Sequence, residues 1–101
     1  MANNEFPGLS SKEFLVMEML LNEGEMYGLK MVESSQGELK KGTVYVTLGR
    51  MEDKGLVTSK EESRGDSEKG IARRLYSHTD YGTRIFKAQE LALKYLNMGS
   101  W

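Results

Sequence analysis

Lys40 and Lys41 stand just before a run in which Thr43, Val46 and Arg50 share one side of a helical pattern, with Tyr45 on its flank. Ammonium and guanidinium groups pair with phosphate oxygens, and Arg50 can also take a guanine edge. Val46 can meet a thymine methyl. The Tyr45 hydroxyl can reach a phosphate, and Thr43 lies where amide protons converge at a helix start. A second basic group, Arg64, Lys69 and Arg73, surrounds a glycine-containing turn further along the chain. Together these residue types offer recognition of a polyanionic duplex, with bases read from a helix and the backbone held by a loop.

No catalytic constellation competes with that chemistry. The chain has no cysteine and a single histidine, which excludes disulfides, thiolate metal sites and histidine pairs. Glu52 with Asp53, and Glu61 with Glu62, are neighbours in sequence and would not face one site. No phosphate-binding glycine loop or metal-ligand spacing is present. The sequence therefore implies no enzyme, no metal and no cofactor, and His78 reads as a packing residue.

A net charge of −1 looks unsuited to a nucleic-acid partner until it is divided along the chain. Residues 1–39 carry two lysines against seven glutamates, whereas residues 40–74 carry nine basic against six acidic side chains. The basic surplus falls where the candidate reading elements lie. At 101 residues the chain is expected to form one domain with a modest core. Its apolar runs are interrupted well before the roughly 18 residues a membrane span needs. No signal segment opens the chain, and the lack of cysteine suits a reducing cytoplasm.

The elements that must position these residues follow from caps and periodicity. Residues 1–9, with the only proline, read as a loose arm. Ser10 and Glu13 have the spacing of a capping box, so a first helix is predicted from there to about Asn22, stopped by Gly24. Its row Phe14, Met17 and Leu21 is wide enough to suggest a partner chain. A second helix is predicted over Tyr27 to Ser35, drawing apolar contacts from Leu29, Met31 and Val32, and a third over Thr43 to Lys54. In the third, Val44, Leu48 and Met51 point inward and Gly55 ends the helix. Leu56 to Glu62 and Ala72 to His78 read as a hairpin whose alternation places Arg74, Tyr76 and His78 on one face. Thr79 can cap a last helix running to about Met98. That helix, some 30 Å long, protrudes from so small a domain, and its seam of Tyr81, Ile85, Ala88, Ala92 and Tyr95, flanked by Phe86, Leu93 and Leu96, needs another surface. A homodimer is the symmetric solution.

The order and spacing of several short pieces resemble the PadR family of transcriptional regulators. They are Tyr27-Gly28, Gly42-Thr43-Val44-Tyr45, Leu48 with Arg50-Met51-Glu52, Gly55-Leu56-Val57, and Arg73-Arg74 followed by Tyr76, Thr79 and Gly82. Two positions depart from the pattern. Val46 stands where the family often has arginine or proline, and His78 replaces a usual leucine. The resemblance implies an α+β, mainly helical fold: a winged helix-turn-helix over residues 10–78 and a C-terminal dimerisation helix over 79–101. It further implies a homodimeric repressor of double-stranded DNA, relieved by an effector such as a small aromatic molecule held near Phe86 or Tyr95. Dimer contacts are expected from Phe14, Met17 and Leu21, and from Ile85, Ala88, Ala92, Leu93, Tyr95 and Leu96. A protein-interaction module that keeps the fold without specific DNA binding is the alternative.

Overall fold

The Ser10 hydroxyl accepts the Glu13 amide proton at 3.2 Å, and the Glu13 carboxylate accepts the Ser10 amide at 2.9 Å. This reciprocal cap starts α1 (Ser11–Glu23), and Gly24, at φ +92°, closes it by donating its amide to the Leu20 carbonyl. The computed structural model describes residues 8–62 and 73–98. After α1 come β1 (Glu25–Tyr27), α2 (Gly28–Ser34), α3 (Val44–Asp53), β2 (Val57–Glu62), β3 (Arg73–His78) and α4 (Asp80–Met98). Four helices and one small sheet give the mainly helical winged-helix architecture expected from the sequence.

Strand β1 is not legible in the sequence, where Tyr27 reads as the start of the second helix. Three residues are too few to show alternation, and this strand exists only because β3 supplies its hydrogen bonds. The sheet order is β1-β3-β2, antiparallel throughout, with Met26 opposite Tyr76 and Ser59 opposite Tyr76 on the other edge. Met26, Tyr76 and Val57 form the inner face of the sheet and are buried.

The connection from α2 to α3 is anchored by Leu39, which is fully buried although no periodic segment of the sequence includes it. Ser35 holds this turn together: its hydroxyl donates to the Val32 carbonyl at 2.8 Å and accepts the Leu39 amide at 2.9 Å. Gln36 and Gly37 take positive φ in the reversal. In α3 the inward row is Val44, Leu48 and Met51, as the periodicity predicts. Thr43 precedes that helix with no side-chain capping bond, so it flanks the helix start without being part of it.

Three expectations for the periphery change. Leu9, assigned to the loose arm, is a core residue: its amide donates to Gln89 Oε1 at 2.6 Å, and Gln89 Nε2 donates back to the Leu9 carbonyl at 3.0 Å. Met17, expected at a dimer contact, is wholly enclosed within the protomer, and Ile85 is buried there too. Phe14 stacks on Phe86 with ring centroids 4.5 Å apart, and Leu21 packs beside the core. The width of the first helix's apolar face is thus explained inside one chain, because the sheet, α3 and the first half of α4 all pack around it.

Glu13 does more than cap. Its carboxylate is almost fully buried and accepts a hydrogen bond from Lys54 Nζ at 2.9 Å, tying the start of α1 to the end of α3. Burial pushes this carboxyl upward, but the Lys54 hydrogen bond, the Ser10 amide and hydroxyl, and the Lys54 charge together outweigh it and hold it below the ordinary glutamate value. A carboxyl depressed by folding stabilises the protein fully above its unfolded value, about 4.3, and that contribution fades as pH falls through the lower folded value. Glu13→Ala should cost about 2 kcal/mol at neutral pH, from the lost cap and the charge-assisted bond. Glu13→Gln retains the cap and should cost less. Urea titrations at neutral and acidic pH check this: the gap between wild type and Glu13→Gln should narrow on acidification.

Candidate nucleic-acid interface

The hydrogen bonds of the turn before α3 fix where its basic residues sit. The Lys40 carbonyl accepts the amides of Thr43 and Val44 at 3.1 and 2.9 Å, so Lys40 and Lys41 lead directly into the helix. Burying Val44, Leu48 and Met51 then turns Tyr45, Val46 and Arg50 outward, and Val46 is 55% exposed. Lys40, Lys41 and Arg50 are exposed, and among the described residues their side chains form no ion pair. Gly49 leaves open space beside them. An exposed valine and a glycine on the outer face of a helix are poor choices for a merely solvated surface, where charged helix formers do better.

Tyr45 lies across the start of α2. A Cβ added at Gly28 would stand 2.6 Å from Tyr45 Cε1, so the absence of a side chain at Gly28 is what lets the ring settle there. Glycine beside tyrosine in the Tyr27-Gly28 pair is the sequence signal for this contact, although its partner at position 45 cannot be read from it.

The wing begins on the other side of that pair. Arg73, near the start of β3, places its guanidinium 4.3 Å from the centre of the Tyr27 ring, and the Tyr27 hydroxyl donates to Glu62 Oε1 at 2.5 Å. On the opposite sheet face, Arg74 Nη1 donates to Ser59 Oγ at 3.1 Å, and Ser59 Oγ donates to Glu52 Oε2 at 2.9 Å. This relay links the wing to the last turn of α3. Tyr27, Arg74 and Lys30 are not among the interface residues expected from the sequence. All three line a groove of about 500 Å³ with Leu29, Tyr45 and Arg73. Leu29, expected to supply apolar contacts for the second helix, is about half exposed at this groove, while Met31 of the same short helix is fully buried. Arg64 and Lys69 lie outside the described residues. Tyr45, Val46 and Arg50 lie on α3, Lys40, Lys41 and Thr43 lead into it and Arg73 is on the wing strand, while Glu52, Ser59 and Arg74 tie helix and wing together.

Helix α4 is covered only in part. In its first half Ile85 and Phe86 are buried, Phe86 against Phe14 of α1, and Gln89 is bonded to Leu9 just ahead of α1. Leu93 and Leu96 stand seven residues beyond Phe86 and Gln89, so they continue the same stripe past the end of the core; Leu96 is 71% exposed. A second exposed row contains Ala88, Leu91 and Tyr95, of which Leu91 escaped the sequence reading. Phe86, expected beside an aromatic ligand, is buried against Phe14 and is closed to one. No helix among the described residues is long and apolar enough to cross a membrane. The single histidine, His78, shares a hydrogen bond with the Thr83 hydroxyl at 3.1 Å, a packing role.

Comparison with known proteins agrees with this geometry. A PadR family transcription regulator from Clostridium difficile R20291 superposes with a TM-score of 0.73 at 23% identity, covering 88% of this chain and 93% of that one. A PadR family transcriptional regulator from Eggerthella lenta gives 0.71 at 28% identity, covering 88% and 77%. Bacillus subtilis PadR, solved in complex with operator DNA, gives 0.68 at 18% identity, covering 90% of this chain and 60% of that one. No curated protein matches the sequence. The sequence profile of the transcriptional regulator PadR-like family, however, matches residues 16–88, which span α1 from its sixth residue through the first half of α4. The chain therefore belongs to the PadR-like family of transcriptional regulators.

Proposed function

We propose that this protein is a homodimeric, sequence-specific DNA-binding repressor. The observation that carries the reading is the outer face of α3: an exposed valine, a glycine and an arginine that forms no ion pair among the described residues, preceded by two lysines and flanked by the wing arginines. Val46 and Arg50 would meet base edges, while Thr43, Tyr45, Lys40, Lys41 and Arg73 would hold phosphates. The second copy would cover Leu93, Leu96 and the Leu91 row of α4. Two such heads would read half-sites about one helical turn, ~10 bp, or a small multiple apart. Occupying a promoter in this way would block transcription. An effector would act by changing the angle between the heads. Because Phe86 is closed, a small aromatic effector would need a pocket formed around Tyr95 by both chains.

Selection from a random duplex library at two salt concentrations tests the reading. Enrichment of a palindrome supports it, whereas weak binding without enrichment that vanishes at moderate salt would favour a protein-interaction module instead. Arg50→Ala should weaken binding to the selected duplex by roughly tenfold or more while the molecular mass in solution stays unchanged. A titration curve that coincides with wild type would remove Arg50 from the interface.

A further inference from the structure

Glu62 and Arg73 are directly opposite each other on β2 and β3, the arrangement in which a glutamate and an arginine ordinarily pair across a sheet. Among the described residues they do not form an ion pair. Tyr27 engages each of them: its hydroxyl donates to Glu62 Oε1 at 2.5 Å, and its ring face receives the Arg73 guanidinium at 4.3 Å. The first distance is that of a hydrogen bond to a charged acceptor, and the second lies well inside cation–π range. Tyr27 can reach both because β1 ends on it, opposite Leu75, two residues from Arg73 along β3.

We propose that Tyr27 is a positioning residue of the wing, one that holds the Glu62 carboxylate away from Arg73 so that the guanidinium stays available to an external phosphate. The inference rests on the reading of this surface as a DNA interface. Stacking on an aromatic face orients a guanidinium without neutralising it, whereas pairing with Glu62 would cancel its charge toward a polyanion. Releasing Glu62 should therefore switch off one phosphate contact per protomer while leaving the fold intact.

Tyr27→Phe tests this with the loss of a single oxygen. Binding is measured on the duplex that the wild-type protein selects from a random library, over a range of salt concentrations. The variant should bind about fivefold more weakly, and the slope of log affinity against log salt should fall by about one per protomer, as Arg73→Ala would also cause. Adding Glu62→Gln to Tyr27→Phe should recover most of both losses, by more than Glu62→Gln gains in the wild-type background. An unchanged salt slope, or a Glu62→Gln effect equal in both backgrounds, overturns the proposal while leaving DNA binding in place. If the wild-type protein captures no duplex at any salt, the DNA-binding reading fails, and this inference with it.

Discussion

A Gly82→Ala protein is expected to melt on the order of 15 °C below wild type, a loss of about 3 kcal/mol. The cause is a backbone contact that has no means of yielding. A Cβ at position 82 would stand 2.1 Å from the Leu56 carbonyl oxygen and 2.9 Å from its carbon. That carbonyl is itself fixed, because it accepts the Thr79 amide and the Thr79 hydroxyl, each at 3.1 Å. The Thr79 hydroxyl shares its one proton between that carbonyl and the nearer Gly55 carbonyl at 2.7 Å, and accepts the Gly82 amide at 2.9 Å. One threonine thus caps α4 and joins it to the entry of β2, and Gly82 is the surface on which the two elements meet. Making room for a methyl group means lifting α4 from the sheet or breaking this set of bonds. Gly49→Ala provides the contrast. Nothing lies within 4 Å of its added Cβ, and replacing a helix-interior glycine should stabilise by up to about 1 kcal/mol. Thermal denaturation of the two variants side by side decides the matter; a Gly82→Ala midpoint within a few degrees of wild type would mean that the Leu56 carbonyl moves aside freely.

The second large effect concerns the far end of α4. Leu93→Glu combined with Leu96→Glu should convert a dimer to a monomer and lower affinity for the selected palindrome by about 100-fold or more, the usual scale on which bivalent attachment is lost. Both side chains are exposed in the protomer, so the changes should leave the winged helix itself folded, although a dimer's melting point also depends on protein concentration. Sedimentation with parallel DNA titrations checks both parts. A wild-type protein that sediments as a monomer, or a double variant that keeps the wild-type mass, would rule out this stripe as the dimer contact. Arg50→Ala should behave in the opposite way, losing DNA and keeping mass, so the two variants separate assembly from recognition.

Several elements were legible because their causes are local. Ser10 and Glu13 form the cap that their spacing implies, since a capping box closes within one helical turn. Val44, Leu48 and Met51 are inward because a helix repeats its faces every 3.6 residues. The hairpin and the Thr79 cap follow from turn residues and alternation in the same way. Family membership was legible too, because the pieces from Tyr27 to Gly82 keep their order and spacing. Periodicity reports which side of an element is apolar, but it does not report what covers that side. Periodicity alone therefore points Met17 toward a partner chain, whereas it is wholly buried in the core of its own chain.

The sequence by itself determined the four helices and the β2–β3 hairpin, the outward face of α3 and the basic surplus around it, all of which depend on residues a few positions apart. Tertiary structure alone decided that Glu25–Tyr27 is a strand, since a three-residue strand has no hydrogen bonds of its own until β3 lies beside it. It also decided that Gly28 admits Tyr45, that Gly82 meets the Leu56 carbonyl, and that Tyr27 touches both Glu62 and Arg73. These are meetings of groups 17 to 46 positions apart in the chain, and no local propensity encodes them; they arise when burial of the core brings the helices and the sheet together.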